Sequence, residues 1–142
     1  MEATRQRDPD GDMLKTRATA VAGKTGGHAM NMAFSKTIAQ VRNRTKTVTR
    51  RNINTWKTLK PGDILRAVEK AQGLKKGAKV RPLATIRVVS VREERLFCIN
   101  EEEVAREGFP RLTPTTFIAQ FFNGDWGQLV RRIEFEYVEP AP

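Results

Sequence analysis

From Met32 onward the chain shows a compact alternation of apolar and polar positions. MAFS is a short apolar start, and KTIAQVRN sets Ile38 and Val41 three apart, the spacing of a short helix. KTVTRR is rich in threonine and valine and predicts an extended strand. LKPGDILRAVE places a Pro61-Gly62-Asp63 turn before a strand carrying Ile64, Ala67 and Val68. AQGLKKGAKVRP reads as a glycine- and lysine-rich hairpin connection. LATIRVVSVREERLF predicts the longest strand, with Ile86, Val88, Val89 and Val91 feeding the core. INEEEVAREGF carries Asn100 as a cap, glutamates in the first turn and Gly108 as a stop, which together mark a helix. TPTTFIAQFFNG marks another, with Thr113 as cap, Pro114 at the first helical position and Phe117, Phe121 and Phe122 on one side. In LVRRIEFEYVE, Ile133, Phe135 and Tyr137 alternate with Arg132, Glu134 and Glu136, as in a closing strand. The expected order is β-α-β-β-β-α-α-β without internal repeat. That is an α+β chain, a small mixed or antiparallel β-barrel with short helices plugging one end.

Residues 1–31 differ from the rest. RQRDPDGDM and AGKTGGHAM lack a sustained apolar period, so a flexible tail is expected there, followed by one domain over residues 32–142. Gly23-Lys24-Thr25 resembles the end of a phosphate-binding loop, but Ala18 stands where that loop needs glycine. DPDGD resembles a calcium loop, but its twelfth position, counted from Asp8, is Thr19 rather than a carboxylate.

Composition narrows the function classes. At 142 residues there is room for one domain with a real core. No run approaches the ~18 apolar residues of a membrane span. One histidine, His28, and one cysteine, Cys98, give no metal-ligand set, so neither a metal nor another cofactor is expected. The lone cysteine also excludes an internal disulfide framework and suits a reducing, cytoplasmic setting, with a monomer favoured. A net charge of +10 favours a polyanionic partner, because neutralised phosphates release condensed counterions. The cations concentrate between Lys36 and Arg66, where Asp63 is the single acid, while the chain turns acidic from Glu101 onward. A molecule with one basic face is expected.

The densest basic stretch is NRTKTVTRR, Asn43 to Arg51. Its Lys46, Thr49 and Arg51 match Gly-x-Lys-x-x-Thr-x-Arg, the hallmark of the ASCH domain family. The Pro61-Gly62-Asp63 turn, the Glu107-Gly108-Phe109 helix ending with an aromatic helix after it, and the Ile133–Tyr137 strand follow in the family's order. Over about Met32 to Val138 the chain therefore resembles an ASCH domain, which implies a PUA-like barrel. The motif's glycine falls on Arg44 here, so the left-handed residue that stops the first helix is expected at Asn43.

The resemblance implies a cleft that binds RNA or a nucleotide-like ligand, with Arg44, Lys46, Arg50, Arg51, Lys57 and Trp56 as its contacts. Trp126 is a further candidate for stacking on a base. A bacterial branch of the family hydrolyses N4-acetylcytidine, and carried over singly its groups are Lys46, Thr49 and Glu107, with Glu103 the alternative glutamate. Strict strand alternation would put Lys46 and Thr49 on opposite faces, so that chemistry requires Lys46 at the helix-to-strand corner. A free nucleoside leaves the basic charge unexplained, which favours the binding role over the amidohydrolase. A ribonuclease is a third reading, although His28 has no second histidine for acid–base cleavage. The Phe117, Phe121 and Phe122 cluster reads as core.

Overall fold

The computed structural model describes residues 30–71, 73–74 and 76–139. The tail expected over residues 1–31 therefore lies almost wholly outside the described residues. Strand β1 spans Met30–Ala33, α1 Ile38–Arg42, β2 Val48–Asn52, β3 Ile64–Val68 and β4 Pro82–Arg95. A 3-10 turn at Leu96–Cys98 leads to α2 at Glu101–Arg106, α3 at Pro114–Phe122 and β5 at Leu129–Val138. The expected order is the observed one. β1 starts at Met30, two residues before 32, and Arg66 Nε reaches Asn31 Oδ1 at 2.8 Å. No helix among the described residues is long and apolar enough to cross a membrane.

The strands form one curled half-barrel in the order β1-β3-β4-β5-β2. β1 pairs with β3 in parallel, and the remaining pairs are antiparallel. Met32, Leu65, Ile86, Val88, Ile133 and Phe135 fill its concave side. Each such side chain contributes roughly 1.5–3 kcal/mol of burial. A second core of Leu96, Ile99, Val104, Phe117, Ile118 and Val130 holds α2 and α3 against one end. Helix ends are fixed by the caps the residues predict. Asn100 Oδ1 accepts from Glu103 N at 2.9 Å, and Thr113 Oγ1 from Thr116 N at 3.1 Å.

Two apolar positions depart from expectation. Val89 is 42% exposed, because the β4–β5 register shifts between Val88 and Ser90 and leaves it without a partner on β5. A bulge of this kind reverses the facing of the extra residue. On β3, Leu65, Ala67 and Val68 are buried while Ile64 is exposed.

Candidate functional site

Lys46 stands at the corner between α1 and β2, ahead of the pleated residues, so strand alternation does not separate it from Thr49. The corner is wound tightly onto the helix end. Asn43 N reaches Ala39 O at 2.9 Å, Arg44 N reaches Val41 O at 3.1 Å, and Thr45 N reaches Gln40 O at 3.0 Å, satisfying the last helical carbonyls. The left-handed residue is Arg44, with φ 64°, and not Asn43, whose φ is −88°. Asn43 instead turns its Oδ1 to the Thr45 backbone N–H and hydroxyl. Arg44 lies over the Tyr137 ring at 5.5 Å and pairs with Glu139, exposed contacts that offset only part of the ~1–2 kcal/mol cost of this conformation in an L-residue.

Glu107 arrives from the other side. It is the C-cap of α2, and Gly108 follows at φ 105°. A Cβ at Gly108 would come 2.7 Å from Cγ and 2.9 Å from Cβ of Gln40, so glycine lets the ends of α1 and α2 touch. Thr47 N donates to Arg106 O at 2.8 Å and fastens the corner to α2. Lys46 Nζ then donates to Glu107 Oε1 at 2.8 Å and to its backbone O at 2.9 Å, with both residues 3% exposed. Tyr137 Oη donates to Lys46 O at 2.5 Å, and burial pushes the Tyr137 hydroxyl up to about 12, so it remains a donor.

The other Glu107 oxygen, Oε2, accepts from Arg50 Nη1 at 2.9 Å. The Arg50 guanidinium is fully enclosed. It also reaches Glu94 Oε2 at 2.9 Å and Glu103 Oε1 at 2.7 Å. Arg132 grips Glu103 from behind at 2.7 and 3.1 Å. That hydrogen bonding, reinforced by Arg50, pulls the Glu103 carboxyl down to about 2. Burial pushes the Lys46 ammonium below its usual range against the pull of Glu107, while Arg51 and Arg50 add to the lowering.

Thr49 and Arg51, two apart on β2, share a face. Arg51 Nε donates to Thr49 Oγ1 at 3.0 Å, and its Nη2 donates to Ala33 O at 2.8 Å. Its guanidinium lies 4.8 Å from the Phe34 ring centre. Burial lowers the Arg51 pKa to about 10, still a cation at neutral pH.

These groups surround one cavity of about 230 Å³. Lys46, Thr49, Arg51 and Glu107 are polar groups of its lining, and Phe34, Phe109, Phe121 and Phe122 are aromatic ones. Both Glu107 oxygens are engaged, whereas Nζ of Lys46 has a third N–H and Thr49 keeps its hydroxyl proton. The polar groups therefore offer hydrogen-bond donors. Among the described residues no cluster of His, Cys, Asp and Glu is arranged to hold a metal.

The remaining sequence candidates sit elsewhere. Arg44 and Lys57 are exposed and do not line the cavity, and half-buried Trp56 packs on the barrel core. Trp126 is exposed in the turn between α3 and β5. Arg50 borders the cavity, but its charge is committed to three carboxylates. Glu94 and Arg132 escaped the sequence reading, and so did Phe34 and Lys36 on the cavity wall. Of the aromatic cluster read as core, Phe117 is buried in it, while Phe121 and Phe122 are half-buried and face the cavity.

Two solved structures share the fold. One, a protein from Enterococcus faecalis described by the DUF984 family model, has a TM-score of 0.53 and 18% identity, covering 78% of this chain and 76% of its own. The other is an ASCH domain from Lactobacillus crispatus, with a TM-score of 0.54 and 12% identity, covering 77% and 79%. Such likeness shows the fold: this chain has the fold of an ASCH domain. No family model and no curated protein matches the sequence.

Proposed function

We propose, with the ASCH-domain fold as premise, that this cleft receives a nucleotide or the end of an RNA chain. One observation carries the reading: Lys46, Thr49 and Arg51 line the same cavity as Phe34, Phe109, Phe121 and Phe122. Unspent donors suit carbonyl and phosphate oxygens, and aromatic faces suit a flat base. Arg51 is the cation for phosphate, with Lys46 on a base or sugar oxygen, while Arg50 supports Glu107 from behind. Calorimetric titration with ribonucleoside monophosphates tests this. Lys46→Met and Arg51→Leu should each weaken binding about tenfold or more, the value of a charged hydrogen bond. Absence of binding by any nucleotide to the wild-type protein would sink the reading.

A second reading is favoured by the buried Lys46–Glu107 contact in the same cavity as Thr49. A lysine whose pKa is lowered by burial, lining the same cavity as a hydroxyl, supplies the two groups of a base–nucleophile pair. In that reading the protein is an amidohydrolase of N4-acetylcytidine type. Lys46 Nζ first gives a proton to Glu107, and Thr49 Oγ1 then bonds to the acyl carbon as its own proton passes to Nζ. The C–N bond then breaks as Nζ returns that proton to the leaving amine. Water cleaves the resulting ester and restores Thr49. Release of cytidine from N4-acetylcytidine, lost in Lys46→Ala and in Thr49→Val, would establish it. No turnover by the wild type leaves the binding role.

A further inference from the structure

The positive charge that a nucleotide-sized cleft leaves unused includes the chain after β3, which is bonded through Val68 O to Phe34 of the cavity lining. Within the basic run from Lys36 to Arg66, Arg42, Arg44, Lys46, Arg50 and Lys60 are each paired with a carboxylate of the domain. Their charge is largely neutralised at home. The chain between Glu69 and Pro82 differs: it carries Lys70, Lys75, Lys76, Lys79 and Arg81 and no acid at all. Lys70, Lys76, Lys79 and Arg81 are all exposed. The carboxylate at the base of this hairpin, Glu69, is engaged by Arg42 at 2.7 Å.

The topology sets this hairpin next to the cleft. β1 and β3 run parallel, so both leave the sheet at the same end. The chain after β1 is Phe34-Ser35-Lys36, which lines the cavity, and the chain after β3 is the basic hairpin. Phe34 N donates to Val68 O at 2.9 Å, and the next residue, Glu69, closes the hairpin through Arg81 O at 2.9 Å. Gly73 and Gly77, at φ 71° and 83°, turn the backbone and carry no side chain between the lysines.

We infer that Lys70, Lys76, Lys79 and Arg81, on the hairpin between β3 and β4, form a clamp for the sugar–phosphate backbone of a single-stranded nucleic acid whose terminal unit occupies the cleft. Lysines on a solvated loop address phosphates as point charges and read no bases, so the clamp adds affinity without sequence preference. The inference rests on the nucleotide reading of the cleft and accounts for charge that reading does not use.

The test compares a ribonucleoside monophosphate with a single-stranded oligoribonucleotide of mixed sequence. The proteins are the wild type and one variant combining Lys70→Gln, Lys76→Gln, Lys79→Gln and Arg81→Gln. All four positions are exposed, and an unchanged melting midpoint verifies the fold. The variant should lose about tenfold or more in oligonucleotide affinity at low salt while binding the monophosphate as the wild type does. Its slope of log affinity against log salt should flatten by roughly 0.7 for each phosphate contact removed. Equal oligonucleotide affinity and slope in the two proteins overturns the clamp. Monophosphate binding without oligonucleotide binding also overturns it and leaves the cleft reading standing. Hairpin-dependent oligonucleotide binding without monophosphate binding keeps the hairpin as a phosphate-binding surface, and removes the cleft reading together with the seating of a terminal unit there.

Discussion

The ammonium of Lys46 and the carboxylate of Glu107 meet at 2.8 Å, each side chain 4% exposed. Removing one partner of such a pair strands the other charge out of water, which costs about 3–5 kcal/mol. The two removals are not equivalent here. Without Lys46, Glu107 still has Arg50, so Lys46→Met should cost only about 1–2 kcal/mol. Glu107→Gln leaves Lys46 without its countercharge and turns an amide N–H toward Arg50 or Lys46, so it should cost about 3–5 kcal/mol. Urea unfolding of the two variants checks the order.

Gly108→Ala should destabilise by about 2–3 kcal/mol, since the new methyl collides with Gln40 and the backbone at φ 105° disfavours a side chain. Adding Gln40→Ala removes the 2.7 Å contact to Cγ and should recover part of that loss, visible as a double-mutant coupling. Simple additivity would show that the collision is relieved elsewhere.

Arg44→Gly releases the left-handed strain at φ 64° but loses the ring contact with Tyr137 and an exposed ion pair. The strain of ~1–2 kcal/mol outweighs the added unfolded-state freedom of glycine, ~0.5–1 kcal/mol. An exposed pair adds little. A gain in melting temperature corresponding to a few tenths of a kcal/mol up to about 1 kcal/mol is expected.

Stability should fall with acid in a window set by Glu103. Its carboxyl titrates near 4.5 in the unfolded chain and about 2 in the fold. Between those values the unfolded state binds more protons, so the contribution is complete above about 4.5 and lost on descending to about 2. Glu103→Gln should flatten the pH dependence of the urea midpoint across that window.

The element order was legible because its signals are local: Asn100 and Thr113 cap their helices, Pro61-Gly62-Asp63 turns the chain, and Ile133 and Phe135 alternate with charge. Lys46, Thr49 and Glu107 were legible through the resemblance to the ASCH motif and its helix ending, and not from periodicity. The fate of Arg50 was not. Whether a strand cation faces water or a buried carboxylate depends on which helix packs over it, and Glu94, Glu103 and Glu107 come from two distant elements. The bulge that exposes Val89 is equally silent in sequence, because the run IRVVSV at 86–91 gives no mark of which residue is extra. For Arg44, the glycine preference for left-handed backbone misdirected the stop to Asn43, whose side chain had a better use in the turn.

The Arg51 contact with Ala33 O has a consequence for association between molecules. β1 and β2 are the two unpaired margins of the sheet, and open margins invite a strand from another chain. By occupying the Ala33 carbonyl from β2, Arg51 ties the two margins together and leaves less free backbone for a foreign strand. A phosphate that drew this guanidinium into the cleft would loosen that tie, so the residue proposed to receive the ligand would also govern how far the sheet margin is open to its neighbours.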